Sequence, residues 1–150
     1  MVDGNDVAFE AWVMTVPPAI RGDVLWRFLA YRLALFASKV GWHDVCELAR
    51  DPRMVSVSDQ LFRSLGSISA NIAEGFSRGG GCDRARFYEY ALGSAREGRD
   101  WYYKARHGLE EETVEKRLIF LSQIVRLLLV MIPDQRDRTI RDDPASYSID

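Results

Sequence analysis

Apolar residues recur along this chain at steps of three and four, the period of an amphipathic helix, in four successive runs. Trp26, Leu29, Leu33, Phe36 and Val40 carry the first run, and Leu61, Leu65, Ile68 and Ile72 the second. Phe87, Ala91, Ser94, Gly98, Trp101 and Ala105 hold one phase in the third. Val114, Leu118, Leu121, Val125, Leu128 and Ile132 do so in the fourth. No stretch alternates apolar and polar residues long enough to argue for a strand. Pro17-Pro18, Pro52, Gly79-Gly80-Gly81, Gly108 and Pro133 punctuate the runs.

The spacing predicts helices near 23–50, 56–77, 83–107 and 110–132. Asp23 is placed to cap the first, and Ser56 followed by Asp59 resembles a capping box for the second. Asp83 is placed to cap the third. Glu110, Glu111 and Glu112 sit in the first turn of the fourth, where the helix dipole favours negative charge. Pro133 lacks an N–H and is expected to end that helix. Long helices with short connections pack as antiparallel neighbours. The expected fold is therefore all-α, an up-and-down antiparallel four-helix bundle over residues 23–133. An N-terminal extension over 1–22 and a mobile acidic C-terminal tail over 134–150 flank it.

The third run is unusual in carrying small residues, Ala91, Ser94 and Gly98, on its inward stripe. Glycine in a helix costs about 1 kcal/mol relative to alanine, so Gly98 implies a closely approaching partner, in this chain or in another copy. Six aromatics (Phe87, Tyr88, Tyr90, Trp101, Tyr102 and Tyr103) share that helix. One narrow stripe cannot bury them all, which makes a homo-oligomer the expectation.

Composition narrows the class. A chain of 150 residues, 47% apolar and 28% charged, suits one soluble globular domain. Two cysteines, Cys46 and Cys82, give no disulfide framework and fit a reducing compartment. The longest apolar stretch, Leu127 to Pro133, is too short to span a bilayer, and no export signal opens the chain. The expected location is cytoplasmic, with no membrane partner. The formal charge is −2, yet 17 of the 20 basic residues are arginine, and their placement is uneven.

The most specific string runs Ser67-Ile68-Ser69-Ala70-Asn71-Ile72-Ala73-Glu74-Gly75-Phe76-Ser77-Arg78. Ile68, Ile72 and Phe76 share a face, and Asn71 and Glu74 lie together beside it. Together with Gln60 and Arg63 upstream and Phe87, Ala91, Gly93-Ser94 and Glu97 downstream, it resembles a known family. These are the four-helix bundle proteins encoded in bacterial 23S ribosomal RNA intervening sequences, a family that includes the accessory variability determinant of diversity-generating retroelements. The resemblance covers roughly residues 25 to 132. It implies a small bundle assembling as a pentameric barrel, whose accessory members bind nucleic acid and a reverse transcriptase through a basic surface.

From Arg50 to His107 ten basic residues face seven acidic ones, a balance of +3, and the remainder of the chain carries −5. Arg96, Arg99, Tyr103 and Arg106 step by three, four and three, forming one stripe away from the small-residue face. Arginines with an aromatic among them suit phosphate contacts and base stacking, and Arg84 and Arg86 extend the basic set. The alternative is a solvated helix face, with Asp100 pairing to Arg96 or Lys104.

Asn71 and Glu74 also read two ways, as a cation or water site, or as a structural pair hydrogen-bonded across helices. Buried polar groups left unsatisfied are costly, which favours the second reading for the set Arg63, Asn71, Glu74, Gly75 and Arg78. Arg63 is the candidate counter-ion for Glu74, while Arg78 is placed to reach the final carbonyls of that helix. His43, Cys46 and Glu47 have the spacing of half a metal site without a second half. The Arg78–Gly81 joint lacks a P-loop's ending and a preceding strand. No catalytic signature appears, so the expectation is a non-enzymatic protein with no metal and no cofactor. Its expected role is a nucleic-acid-binding accessory subunit for RNA or DNA, serving a reverse transcriptase or ribonucleoprotein. The alternative is a protein–protein scaffold or adaptor without nucleic acid.

Overall fold

The computed structural model describes residues 4–136. They form helices α1 (Gly4–Val13), α2 (Pro18–Arg21), α3 (Leu29–Leu48), α4 (Val55–Phe76), α5 (Gly81–Lys104) and α6 (Glu111–Gln135), with no strand among the described residues. The all-helical class stands. Six α-helices replace the expected four, because the segment taken as an extension contributes two short ones. Of the expected acidic tail, Asp134 and Gln135 belong to α6, and residues 137–150 lie outside the described residues.

The boundaries depart from expectation where local chemistry overrides periodicity. The first run splits: Val24–Arg27 form a 3-10 turn and Phe28 is extended before α3 begins. Asp23 does cap, but it caps that turn, its carboxylate accepting from the Leu25 N–H at 2.8 Å. Ser56 and Asp59 form no capping box, since α4 starts at Val55 with no side-chain cap. Asp83 lies inside the first turn of α5, whose cap is Gly80. Pro133 does not end α6. The carbonyl it leaves without a helical N–H belongs to Leu129, which is on an exposed side, so water can take that bond.

The helices pack as a bundle around one core. Gly75 of α4 meets Phe87 and Tyr88 of α5, whereas Gly98 further along α5 meets Ser64 and Leu65 earlier in α4. A Cβ on Gly75 would stand 2.8 Å from Phe87 Cβ, so this glycine permits a close helix approach. Gly98 sits against Leu65 of α4 and Leu121 of α6; the partner its sequence context called for is in this chain. Of the expected α5 stripe, Ala91, Gly98 and Ala105 are buried while Phe87, Ser94 and Trp101 are only half-buried; Ala85, Tyr88, Ala95 and Tyr102 take further core positions. Helix α1 packs on α3 and the turn before it. Phe9 packs edge-on against Phe36 at 5.5 Å, Phe36 against Phe120 at 5.7 Å, and Trp12 stacks between Trp26 and Phe36.

A polar cluster sits within this core. Asp44 of α3, only 5% exposed, accepts hydrogen bonds from the Tyr102 hydroxyl of α5 at 2.6 Å and from Arg117 Nε of α6 at 2.7 Å. A second guanidinium nitrogen reaches its other oxygen at 3.3 Å. Burial, together with the charge and hydrogen bond of Asp44, raises the Tyr102 pKa well above its ordinary value. For Arg117, burial opposes the charge, but Asp44 outweighs it and the pKa is raised.

Helix α6 is long and apolar enough, by length and composition, to cross a bilayer. Here it buries Val114, Leu121, Ile124, Val125, Leu128 and Ile132 in the protein core.

Candidate functional site

The flank of α5 that faces α6 carries the arginine stripe. Steps of three and four keep Arg96, Arg99 and Tyr103 on one side of the helix, and the 3-10 turn Ala105–His107 carries Arg106 and His107 on from its end. Leu118 and Ser122, one turn apart on α6, form the opposite wall. Between the two helices runs an open groove made of two adjoining depressions that share Tyr103 and Leu118.

The first depression, about 440 Å³, is lined by Arg96, Arg99, Asp100, Tyr103, Leu118 and Ser122. Arg99 donates weakly to the Ser122 hydroxyl at 3.4 Å. Asp100 is held by Lys104 at 2.5 Å, so the two local pairings expected for this carboxylate resolve in favour of lysine. Arg96 makes no ion pair among the described residues.

The second depression, about 480 Å³, is lined by Tyr103, Arg106, His107, Glu111, Val114, Glu115 and Leu118. The Arg106 guanidinium lies over the Tyr103 ring at 4.2 Å and donates to the Tyr103 carbonyl at 2.8 Å. Tyr103 nevertheless remains 56% exposed. Glu111 and Glu115 are exposed and form no ion pair among the described residues. The groove thus grades from basic at Arg96 and Arg99 to mixed charge over an apolar floor.

Arg86 stands apart from this groove. It is exposed, 3.9 Å from Asp83, and shares a smaller depression of about 180 Å³ with Cys82, Ala85, Glu89 and Arg136. Glu89 and Arg136 are ion-paired there. Arg84, expected on the same basic surface, is 0% exposed. Its Nε donates to Gln135 Oε1 at 3.0 Å and another nitrogen to the Arg78 carbonyl at 2.6 Å. It ties the α4–α5 joint to the end of α6, and no phosphate reaches it.

The motif set resolves locally. Asn71 Nδ2 donates to the Ser67 carbonyl of its own helix at 2.8 Å, instead of bonding across helices. Glu74 pairs with Arg78, whose guanidinium also lies over Phe87 at 4.7 Å. Arg63 is not the counter-ion of Glu74; it pairs with Asp59 at 3.1 Å. Helical reach explains this, since each charge finds a partner four residues away on its own face. Gly75 and Arg78 are the members of the set that reach α5, the glycine through the close approach described above and the arginine through Phe87 and Arg84. His43, Cys46 and Glu47 are all exposed on α3. Sequence reasoning missed Leu118, Ser122, Glu111 and Glu115 as groove walls. The i, i+4 pairings of Leu118 with Ser122 and of Glu111 with Glu115 were visible, but not the helix they face.

The model of a family described as 23S rRNA-intervening sequence protein matches residues 36–129. A solved structure from Bacteroides thetaiotaomicron, described as a protein of unknown function from the S23 ribosomal protein family, is similar in fold. Its TM-score is 0.65 at 23% identity, covering 69% of this chain and 98% of its own. No curated protein matches the chain.

Proposed function

The chain belongs to the 23S rRNA-intervening sequence protein family, and from that premise we propose that it is a non-enzymatic, nucleic-acid-binding accessory subunit. It works in the cytoplasm as a homo-oligomer, with a reverse transcriptase or other ribonucleoprotein component as partner. Its long helices α3 to α6 form an up-and-down four-helix bundle. The contacts that pair early residues of one helix with late residues of the next favour this topology. Copies of the bundle assemble as a pentameric barrel.

The observation that carries the reading is the α5/α6 groove. Arg96 and Arg99 form no ion pair among the described residues at one end, and a largely exposed Tyr103 sits between two depressions. Arginines supply the sequence-independent attraction to phosphate, and the aromatic ring supplies a stacking surface. The test is RNA and DNA binding across a salt series. Replacing Arg96, Arg99 and Arg106 by glutamate is expected to abolish low-salt binding and, where residual binding persists, to reduce the log–log salt slope by roughly 2–3. Undetectable binding by the unmodified chain, or binding indifferent to the triple change, overturns the reading. Light scattering tests the assembly: a 17.1 kDa particle at micromolar concentration excludes a stable ring.

A protein–protein scaffold is favoured instead by the α3/α4 flank. There Trp42 and Phe62 stack edge-on at 5.5 Å and stay 54% and 41% exposed. Retained assembly and partner capture without salt-sensitive RNA binding would select this reading.

A further inference from the structure

The two halves of the α5/α6 groove differ in chemistry in the same way as the two halves of a nucleotide. One half offers guanidinium groups, Arg96 and Arg99, and the Ser122 hydroxyl. The other offers an apolar floor of Val114 and Leu118, the Tyr103 ring with Arg106 and His107 beside it, and Glu111 and Glu115, carboxylates that form no ion pair among the described residues. We propose that the groove is a bipartite site for an unpaired guanine nucleotide within a single strand. The base lies against Tyr103 with its edge toward Glu111 and Glu115, and the flanking phosphates lie on Arg96 and Arg99. This assignment rests on the nucleic-acid reading above and names the ligand of the same site.

The carboxylates decide the base. A carboxylate is an acceptor only. Guanine presents two adjacent donors, N1–H and the exocyclic N2–H, which match its two oxygens. Adenine and cytosine present an amino donor beside a ring-nitrogen acceptor, whose lone pair opposes the second oxygen. Uracil flanks one N–H with two carbonyls and is repelled on both sides. Carboxylates lining a groove for a purely non-specific polyanion would only weaken it, so their position beside the ring points to base recognition.

Strandedness follows from access. A duplex keeps its bases stacked and its Watson–Crick edges paired, so it offers nothing to Tyr103, Glu111 or Glu115. An unpaired base splays out and stacks on an aromatic side chain. The volume of the base half, about 480 Å³, lies within the roughly 300–1,000 Å³ range of ligand pockets. The Arg106 guanidinium occupies one face of the Tyr103 ring and holds it in place, so the base takes the opposite face.

Fluorescence anisotropy with the full chain tests the assignment, using short uridine RNAs that carry one central guanine, adenine or uridine, and a duplex of the guanine strand. The guanine strand is expected to bind about 10-fold tighter than the all-uridine strand, the discrimination of one bidentate pair. The duplex is expected to bind more weakly than the single strand. Glu111→Gln with Glu115→Gln should erase the guanine preference while leaving the uridine strand's affinity unchanged or higher. Tyr103→Ala should weaken the guanine strand by about 10-fold and Tyr103→Phe should not, with circular dichroism unchanged in each. Equal affinity for guanine and uridine strands, equal binding of the duplex, or a preference that survives the double glutamine change overturns the guanine site while leaving general nucleic-acid binding intact. Failure of every RNA to bind at low salt overturns both.

Discussion

Two sets of arginines and tyrosines lie on α5 and the helices beside it, and their fates differ. In the core, Tyr102 and Arg117 converge on Asp44, and every strong donor in the cluster has its acceptor within the chain. Arg84 is likewise consumed, by the Arg78 carbonyl and Gln135. In the groove, Tyr103 follows Tyr102 directly but is largely exposed, and Arg96 has no acidic partner among the described residues. Residue type therefore does not separate the core set from the groove set in this protein. Burial does: Arg84 and Tyr102 are enclosed with their acceptors, whereas Arg96 and Tyr103 are exposed.

The largest break in this comparison comes from Asp44→Ala. It strands Arg117 and Tyr102 inside the bundle, and removing one partner of a buried ion pair typically costs about 3–5 kcal/mol. Urea unfolding should show that loss, while RNA affinity per folded molecule stays the same.

Alkaline pH should produce a smaller effect from the same side. Burial, partly offset by the nearby Arg84 charge, pushes the Tyr88 pKa up to about 12, and Tyr102 is raised further. Both are neutral in folded and unfolded chains below pH 10. Above it the unfolded chain releases those protons and the folded chain keeps them, so stability falls as pH rises from 10 towards 12. Tyrosinate absorbance followed with circular dichroism should show two tyrosines ionising only as the helices melt.

The finest test exchanges the two neighbours. Tyr102→Phe removes one buried hydrogen bond and should cost about 1–2 kcal/mol without altering RNA binding. Tyr103→Phe should change stability by less than about 0.5 kcal/mol. A Tyr103→Phe change as costly as Tyr102→Phe would mean that the groove tyrosine is structural after all.

Much of the bundle was legible because its long helices each carry an amphipathic stripe, and because Gly98 among small residues forecasts close packing. The phase of α5 was legible in Ala91, Gly98 and Ala105 but not in its aromatics. Aromatics flank its stripe on both sides, so Trp101 and Tyr102 compete for the core, and only the distant Asp44 selects Tyr102. The same physics hid Asp44, Arg84 and Arg117. A charged residue is read as solvated unless a partner buries with it, and the side-chain partners here lie far away in sequence. Helix α1 escaped notice because its contribution is the fit of Phe9 and Trp12 against Phe36, a contact that only the folded chain creates. For the groove, the stripe on α5 was visible, but its opposite wall depended on which helix came alongside.

The separation along the chain of the residues meeting at Asp44 has a kinetic consequence. Tyr102 is 58 residues away and Arg117 is 73, so neither bond forms until large loops have closed. A chain emerging from the ribosome presents α3, α4 and α5 before Arg117 exists to pair with the carboxylate. That partial bundle must keep Asp44 hydrated, and its centre cannot dry until α6 arrives. One acidic side chain thereby makes completion of the core contingent on the last helix, and disfavours a stable three-helix intermediate during synthesis.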